Sequence, residues 1–307
     1  MRFLNSTALI ATLLLPACGT DTGPLVGGGN DPTLTLLTDD PFPYDRVERV
    51  DLYVVSVSGS LSPDTSGSGT FETLATPHRL INLLALQNGL TDQLGSVSLS
   101  EGVITAVRMV IDTDSSSITL KDGRVLTGSS TPGIAWQSSA GRPVLNALIH
   151  ENILVPDTGG TVVIDYDVGK AFITPQEIDP TSTDSGFIFS PVLRAADANL
   201  TGSISGLVKQ TGGAAVEDAS LRLYLGDPSD PENTWPVMGT TRTNANGQFK
   251  FSYVTRSAWW DQFPAHAGET YIVAVDPPTG SGLSRNVVIN ISVTAGANTS
   301  VGTVVLP

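Results

Sequence analysis

The feature that most limits this fold is the rhythm of its apolar runs. From residue 203 onward, Ser203–Lys209, Ser220–Leu225, Val237–Thr243, Gln248–Tyr253, Thr270–Val275, Asn286–Val293 and Thr299–Leu306 are short and rich in Val, Ile and Thr. Turn residues separate them. β-Branched and aromatic side chains suit a pleated, half-buried surface, and closely spaced short runs predict strands of a sandwich. No stretch of the chain sustains a long apolar period of 3.6 residues, so no long amphipathic helix is expected. The chain holds 31 Gly and 20 Pro, and 15% of its residues are charged, which agrees with many turns between strands.

The first half has the same character. Leu34–Leu37, Val50–Ser58, Thr105–Ile111, Thr161–Asp167 and Phe187–Leu193 read as strands. Val50–Ser58 is apolar on both faces and so belongs in the middle of a sheet. Thr38-Asp39-Asp40-Pro41 predicts a turn and Gly59–Gly69 a loop. Arg79–Leu86 with Gln87–Asp92 predicts a strand end followed by a turn or short helix. Within Ile118–Leu126, Asp122-Gly123 tolerates positive φ at both central turn positions and predicts a tight hairpin. The expected fold is all-β, with a first β-sandwich-like domain over 32–196, a junction over 197–201 and a second over 202–307.

The N-terminus is set apart. Arg2 precedes an apolar run, Ala8 to Leu15, and Leu15-Pro16-Ala17-Cys18 follows. A secretory leader carries an apolar region of about 7–15 residues, whereas a membrane span needs about 20. Residues 1–17 are therefore expected to be a cleaved signal peptide. Leu15-Pro16-Ala17-Cys18 resembles the lipobox of bacterial lipoproteins, with Pro16 in place of the usual small residue. The resemblance implies a diacylglycerol thioether on Cys18, cleavage before it and N-acylation, for example by palmitate. Each buried CH₂ contributes about 0.8 kcal/mol, so two or more chains anchor stably. Gly19, rather than Asp, after the lipidated cysteine implies the outer membrane of the cell envelope. Residues 18–31 then form a lipidated cysteine and a glycine-rich tether reaching roughly 20 Å.

Two further resemblances cover the rest. Leu36-Leu37-Thr38-Asp39-Asp40-Pro41, Val50-Asp51-Leu52-Tyr53-Val54, Ile81-Asn82-Leu83-Leu84-Ala85-Leu86, Leu94-Gly95 with Glu101-Gly102, Val107-Arg108-Met109-Val110-Ile111-Asp112 and Ser190-Pro191-Val192-Leu193 occur in order across the first domain. This pattern resembles a domain of unknown function common in bacterial lipoproteins. It implies a location and a β-rich fold, and no reaction. Gly202–Val208, Val216-Glu217-Asp218-Ala219, Thr243-Asn244-Ala245-Asn246-Gly247-Gln248-Phe249 and Tyr271–Val275 resemble carboxypeptidase-regulatory or transthyretin-like modules. Such modules serve as spacers, stabilisers or adhesive units. This chain departs from them over Thr255–Glu269, where a short turn is replaced by an insertion containing Trp259, Trp260, Phe263 and His266.

Charge and motif content exclude several activities. The net charge is −14, with no basic cluster, so nucleic acid is not an expected partner. The single cysteine is Cys18, which lipidation would occupy, leaving neither a disulfide nor a thiol nucleophile. His78, His150 and His266 stand apart, without zinc spacing, and no Gly-x-Ser-x-Gly elbow is present. Asp112 with Asp114, and Asp165 with Asp167, are spaced i,i+2. On a strand this puts both carboxylates on one face, for Ca²⁺, for acid/base work or simply for solvation. Asp227, Asp230 and Glu232 share a Pro-containing loop with the same alternatives. Trp235, Trp259, Trp260 and Phe263 fall in predicted loops, where they either stack on a sugar or bury in a partner, or serve as a plug, with Trp259 and Phe263 sealing an open end of the sandwich or the joint between the domains.

The expectation is a lipid-anchored, non-enzymatic surface protein without cofactor or metal. Its partners would be the membrane, through the lipid, and a glycan or protein. A carbohydrate-binding loop at Trp259–Trp260 and a hydrolase using paired carboxylates of the first domain are the alternatives.

Overall fold

A computed structural model describes residues 31–39, 46–61, 70–136 and 141–307. The predicted leader, Cys18, most of the predicted tether, Asp40-Pro41 and most of the predicted Gly59–Gly69 loop lie outside the described residues, while Thr38 and Asp39 of the predicted turn are the last residues of a strand. The first domain contains β1 (Thr33–Asp39), β2 (Val47–Ser60), β3 (Phe71–Ala75), β4 (Arg79–Asn82), β5 (Asp92–Val97), β6 (Gly102–Ile104), β7 (Ala106–Leu120) and β8 (Val125–Leu126). It continues with β9 (Ile134–Ala135), β10 (Val144–Ala147), β11 (Ile153–Val155), β12 (Thr161–Tyr166), α1 (Val168–Ala171), β13 (Phe172–Ile173), α2 (Pro175–Ile178), β14 (Phe187–Phe189) and β15 (Leu193–Asp197). The second contains β16 (Thr201–Gln210), β17 (Ser220–Gly226), β18 (Val237–Arg242), β19 (Gln248–Thr255), α3 (Ser257–Trp260), β20 (Thr270–Asp276), β21 (Asn286–Ile291) and β22 (Asn298–Leu306). The architecture is all-β, as the apolar rhythm predicts.

In the first domain a sheet ordered β15-β12-β1-β5 shares one core with a larger sheet along β10-β7-β2-β3. β1 and β12 run parallel, Leu36 beside Val163 and Asp39 beside Tyr166. β2 and β7 are the long antiparallel pair, and Leu37, Leu52, Val54, Met109, Ile111 and Ile164 fill the core between the sheets. Burial of these apolar side chains from both sheets is the main stabilising term for such a layer pair.

Three local readings change. β7 runs past Ile111 to Leu120, because an outward excursion at residues 113–116 interrupts the ladder without ending it. Tyr53 faces Asp112, and Asp51 faces Ser117. Ser116 Oγ fills the gap, accepting from Tyr53 N–H (2.9 Å) and donating to Asp112 C=O (2.6 Å). The Asp-Gly hairpin forms, but only Gly123 has positive φ (85°). Leu120 N–H reaches Arg124 C=O (2.8 Å), so the loop is one residue longer than a two-residue turn, with Gly123 in the left-handed position. Phe187–Leu193 is not continuous; β14 and β15 are separated at Ser190–Val192, where Pro191 supplies no N–H.

The second domain is a sandwich of seven strands, β19-β16-β22 against β18-β17-β20-β21. Ile204, Leu221, Leu223, Phe249, Phe251, Tyr271, Val273 and Leu306 line its core. At Asn244–Gly247 the Asn244 side chain accepts from Asn246 and Gln248 N–H, and Gly247 takes φ 73°. That turn delivers Phe249 into the core. All four edge strands carry an extra residue relative to their inner partner: β18 opposite Leu223/Tyr224, β19 opposite Gly202/Ile204, β21 opposite Tyr271/Val273 and β22 opposite Ser205/Leu207. Tyr253, Asn290 and Gly302 take positive φ within three of these bulges. Bulged edges twist away from a would-be partner strand and so block edge-to-edge pairing.

Candidate functional site

The aromatic insertion folds onto the joint between the domains. Thr255–Glu269 contains α3 and a short 3₁₀ turn at Pro264–His266. Trp260 is 8% exposed, and its Nε1–H donates to Tyr271 Oη (2.8 Å), which donates in turn to Thr255 C=O (2.6 Å). Its indole also meets two imidazoles nearly edge-on, His150 of the first domain at 5.1 Å and His266 at 5.0 Å between ring centres. Trp259 packs against the sandwich core and stacks edge-on with Phe263 (5.1 Å), which is 39% exposed. The Trp259–Trp260 pair is therefore not a two-ring stacking platform: one ring is buried in the joint and the other lies against the sandwich.

The first domain supplies charges. Asp165 on β12 and Arg194 on β15 are cross-strand partners, joined at 2.5 and 3.1 Å with about one-sixth of each side chain exposed. Arg256, at the head of the insertion, makes a two-pronged ion pair with Glu151 across the joint. Tyr253, re-aimed by its bulge, hydrogen-bonds Thr91 of the first domain. Burial and then the nearby Arg194 lower the pKa of His150. Burial raises that of Asp197 at the domain junction. Two adjoining hollows of about 30 and 40 Å³ share His150, Asp165, Arg194, Tyr253 and Thr255. Organic ligands occupy pockets of about 300–1,000 Å³, whereas these hollows suit a water or two.

A larger open groove, about 710 Å³, is lined by Ser130, Thr131, Gly133, Thr183, Asp184 and Ile188. Its loops satisfy themselves: Ser130 Oγ donates to Pro132 C=O, and Asp184 Oδ1 accepts from Gly186 N–H. Among the described residues Asp184 is the one charged side chain that lines it.

The paired carboxylates do not act as pairs. Asp112 accepts from Ser115 N–H and Arg142, holding the shape of the β7 excursion, while Asp114 faces outward. β12 ends at Tyr166, so the alternation that would align Asp165 with Asp167 stops between them. Asp165 is held by Arg194, whereas Asp167 caps α1 through Lys170 N–H (3.0 Å) and pairs with Lys170 Nζ (2.8 Å). Asp227 forms a local turn with Ser229, and Glu232 is held by Arg285 and Tyr224. Among the described residues no group of three His, Cys, Asp or Glu side chains could hold a metal ion. Trp235 closes over Tyr224, Ile272 and Ala274 on the outer face of the four-stranded sheet, its Nε1–H donating to Asp227 C=O (2.9 Å). Sequence reading missed His150, Glu151, Tyr253, Arg194 and Arg256 as one cluster. The available signal was a charge at the inner position Asp165 of an otherwise apolar strand, matched by Arg194 on another.

The model of a domain of unknown function, DUF4382, matches residues 33–191. No curated protein matches the chain. Among solved structures, a 9R-lipoxygenase from Cyanothece PCC8801 is similar at 14% identity and TM-score 0.24, covering 46% of this chain and 19% of its own. The Bacillus anthracis TIE protein is similar at 11% identity and TM-score 0.23, with 92% and 42% covered. The shaft pilin SpaA from Lactobacillus rhamnosus GG gives 11% identity and TM-score 0.21, with 90% and 97% covered. This chain thus spans less than half the length of the first two. Scores at this level define no shared fold.

Proposed function

The chain belongs to the DUF4382 family through residues 33–191, just over half its length, and from that premise we propose that it is a lipid-anchored envelope protein acting as a non-enzymatic structural module. In this reading Cys18 carries the lipid, the glycine-rich tether spaces the domains from the outer membrane, and the second domain is a transthyretin-like spacer docked on the first. The observation that carries it is the use of the aromatic insertion. Trp260 is enclosed by His150, His266 and Tyr271 at the joint, so the most ligand-like residues of the sequence serve to hold two domains together. The separation of Asp165 from Asp167 by different partners supports the non-enzymatic part.

The test is expression of the full chain and Cys18→Ser in a bacterial host that processes lipoproteins, with labelled palmitate and membrane fractionation. The wild type is expected to incorporate label and sediment with the outer membrane, and Cys18→Ser to do neither. Equal labelling of both would refute the anchor. Hydrolytic activity abolished by Asp165→Asn in correctly folded protein would refute the non-enzymatic reading.

A further inference from the structure

Phe263 is the one aromatic ring of the second domain that stands exposed (39%), and Pro264 and Ala265 beside it are exposed as well. We propose that this apolar tip of the insertion rests on the uncharged surface of a lipid bilayer, at the end of the molecule that the N-terminal tether holds to the membrane. The inference rests on the lipid anchor at Cys18 proposed above.

The placement comes from the topology. β1 and β12 run parallel and β15 antiparallel to β12, so the start of β1 and the end of β15 share one end of their sheet. There Asp31 N–H reaches Asp157 C=O (3.1 Å), and Asp197 stands opposite Val162. From Asp197 one 3₁₀ turn, Ala198–Leu200, leads into β16 at Thr201, opposite Thr255, where the insertion starts. Arg256 ties that root back to Glu151, whose loop runs through β11 to Asp157. The root of the insertion and the attachment of the tether are thus on the same end of the first domain. Residues 19–31 span about 45 Å when fully extended and roughly 20 Å root-mean-square, so a lipid on Cys18 keeps this end close to the bilayer.

The chemistry of the tip fits that neighbour. Pro264 has no N–H, the Phe263 N–H donates to Trp260 C=O (3.0 Å), and the carbonyls of Phe263 and Pro264 accept from His266 (2.9 Å) and Ala267 (3.3 Å). These backbone groups have internal partners, so drying them costs little. Trp259 backs Phe263 edge-on at 5.1 Å, and aromatic rings suit the level of the headgroups. The adjoining loop Ser292–Ala297, joined to α3 through Ser257 N–H and Val293 C=O (2.9 Å), holds no charged residue. The charges nearby are carboxylates: Asp261 on the insertion, and Asp227 beside Gly268 at its base. Arg256 is taken by Glu151 and His266 faces Glu269, so no cation of the insertion is left to seek an anionic headgroup. An uncharged, zwitterionic surface is the one that fits. A short flexible tether raises the effective concentration to the order of millimolar, so a contact too weak to hold free protein becomes about half occupied once the chain is anchored.

The test couples the chain from Cys18 to Pro307, through its sole cysteine, to phosphatidylcholine vesicles carrying a small fraction of maleimide-headgroup lipid. Hydrogen exchange read by mass spectrometry is compared with that of the Cys18→Ser chain without vesicles. Exchange over 261–267 and 292–297 is expected to slow by about twofold or more on the vesicles. The hairpin at 121–124, at the other end of the first domain, should not change. Phe263→Asp, equally anchored and with unchanged far-UV circular dichroism, should lose the slowing; should that variant unfold, Ala265→Glu at an exposed position takes its place. Equal exchange of the anchored and free chains over 261–267 overturns the proposal. So does slowing that survives the substitution, or that grows with the number of chains per vesicle, as contact between copies gives. The chemical coupling supplies the anchor whether or not a cell does, so loss of this contact and loss of palmitate labelling are separate results.

Discussion

Gly226 lies beneath the ring of Trp235, and replacing it by alanine tests how that ring is held. A Cβ at Gly226 would stand 2.7 Å from Trp235 Cγ and 2.9 Å from Nε1. Carbon atoms prefer about 3.5–4.0 Å, so the indole must move by roughly 1 Å. A shift of that size breaks the 2.9 Å bond from Nε1–H to Asp227 C=O and loosens the cover over Tyr224, Ile272 and Ala274. The lost hydrogen bond costs about 1 kcal/mol and overpacking typically about 1–3 kcal/mol, so Gly226→Ala should destabilise the second domain by about 2 kcal/mol. For a domain of this size that is roughly 8–16 °C in Tm. In Trp235→Ala the obstacle is gone. Gly226 has no positive φ, so alanine there should be neutral or stabilise by about 0.4–1 kcal/mol through the unfolded chain. Urea unfolding of the four variants by far-UV circular dichroism measures the coupling, expected near 2–3 kcal/mol. Costs for Gly226→Ala that agree within about 0.5 kcal/mol in the two backgrounds would refute the reasoning.

Arg194→Met should cost about 3–5 kcal/mol in urea unfolding, because Asp165 is left charged and largely buried, whereas Arg194→Met with Asp165→Leu should recover most of the loss. Asp167→Ala should cost about 1–2 kcal/mol, and Asp167→Asn clearly less, since asparagine keeps the cap on Lys170 N–H and loses only the charge pair; equal costs would mean that the charge dominates. Partial burial pushes the Asp112 carboxyl up, but the Ser115 N–H and Arg142 outweigh it and hold the group below the usual carboxylate range. Its stabilising contribution is therefore present above about pH 4 and lost as pH falls through the folded value. Unfolding of Asp112→Asn measured against pH should show a shallower acid limb than the wild type.

The second domain was legible strand by strand, because each run from Ser203–Lys209 to Thr299–Leu306 carries its own pattern and turn, and the pattern depends only on neighbours in sequence. The short strands β3, β5, β6, β9, β10, β11 and β13 of the first domain were not. Their pairing is fixed by distant partners, as β9 is by β14 and β5 by β1, and the two or three residues of β6, β9, β11 and β13 hold no period to detect. The spacing of Asp165 and Asp167 was read correctly, but the end of β12 at Tyr166 separated their roles. The joint was hidden for a related reason: Glu151 and Arg256 meet only after both domains have folded. Trp260 announced itself by composition, and its burial depended on His150, which nothing nearby in sequence marks.

The parallel pairing of β16 with β22 has a mechanical consequence. The first strand of the second domain lies parallel beside its last, paired from Ser203 with Asn298 to Gln210 with Leu306 on either side of one bulge. Pulling the first domain away from the end of β22 tugs these two strands in opposite directions along their lengths. The rungs between them are then strained together in shear, and none can open before its neighbours as in a zipper. Stretched end to end, the sandwich should resist at this seam until the whole ladder fails at once.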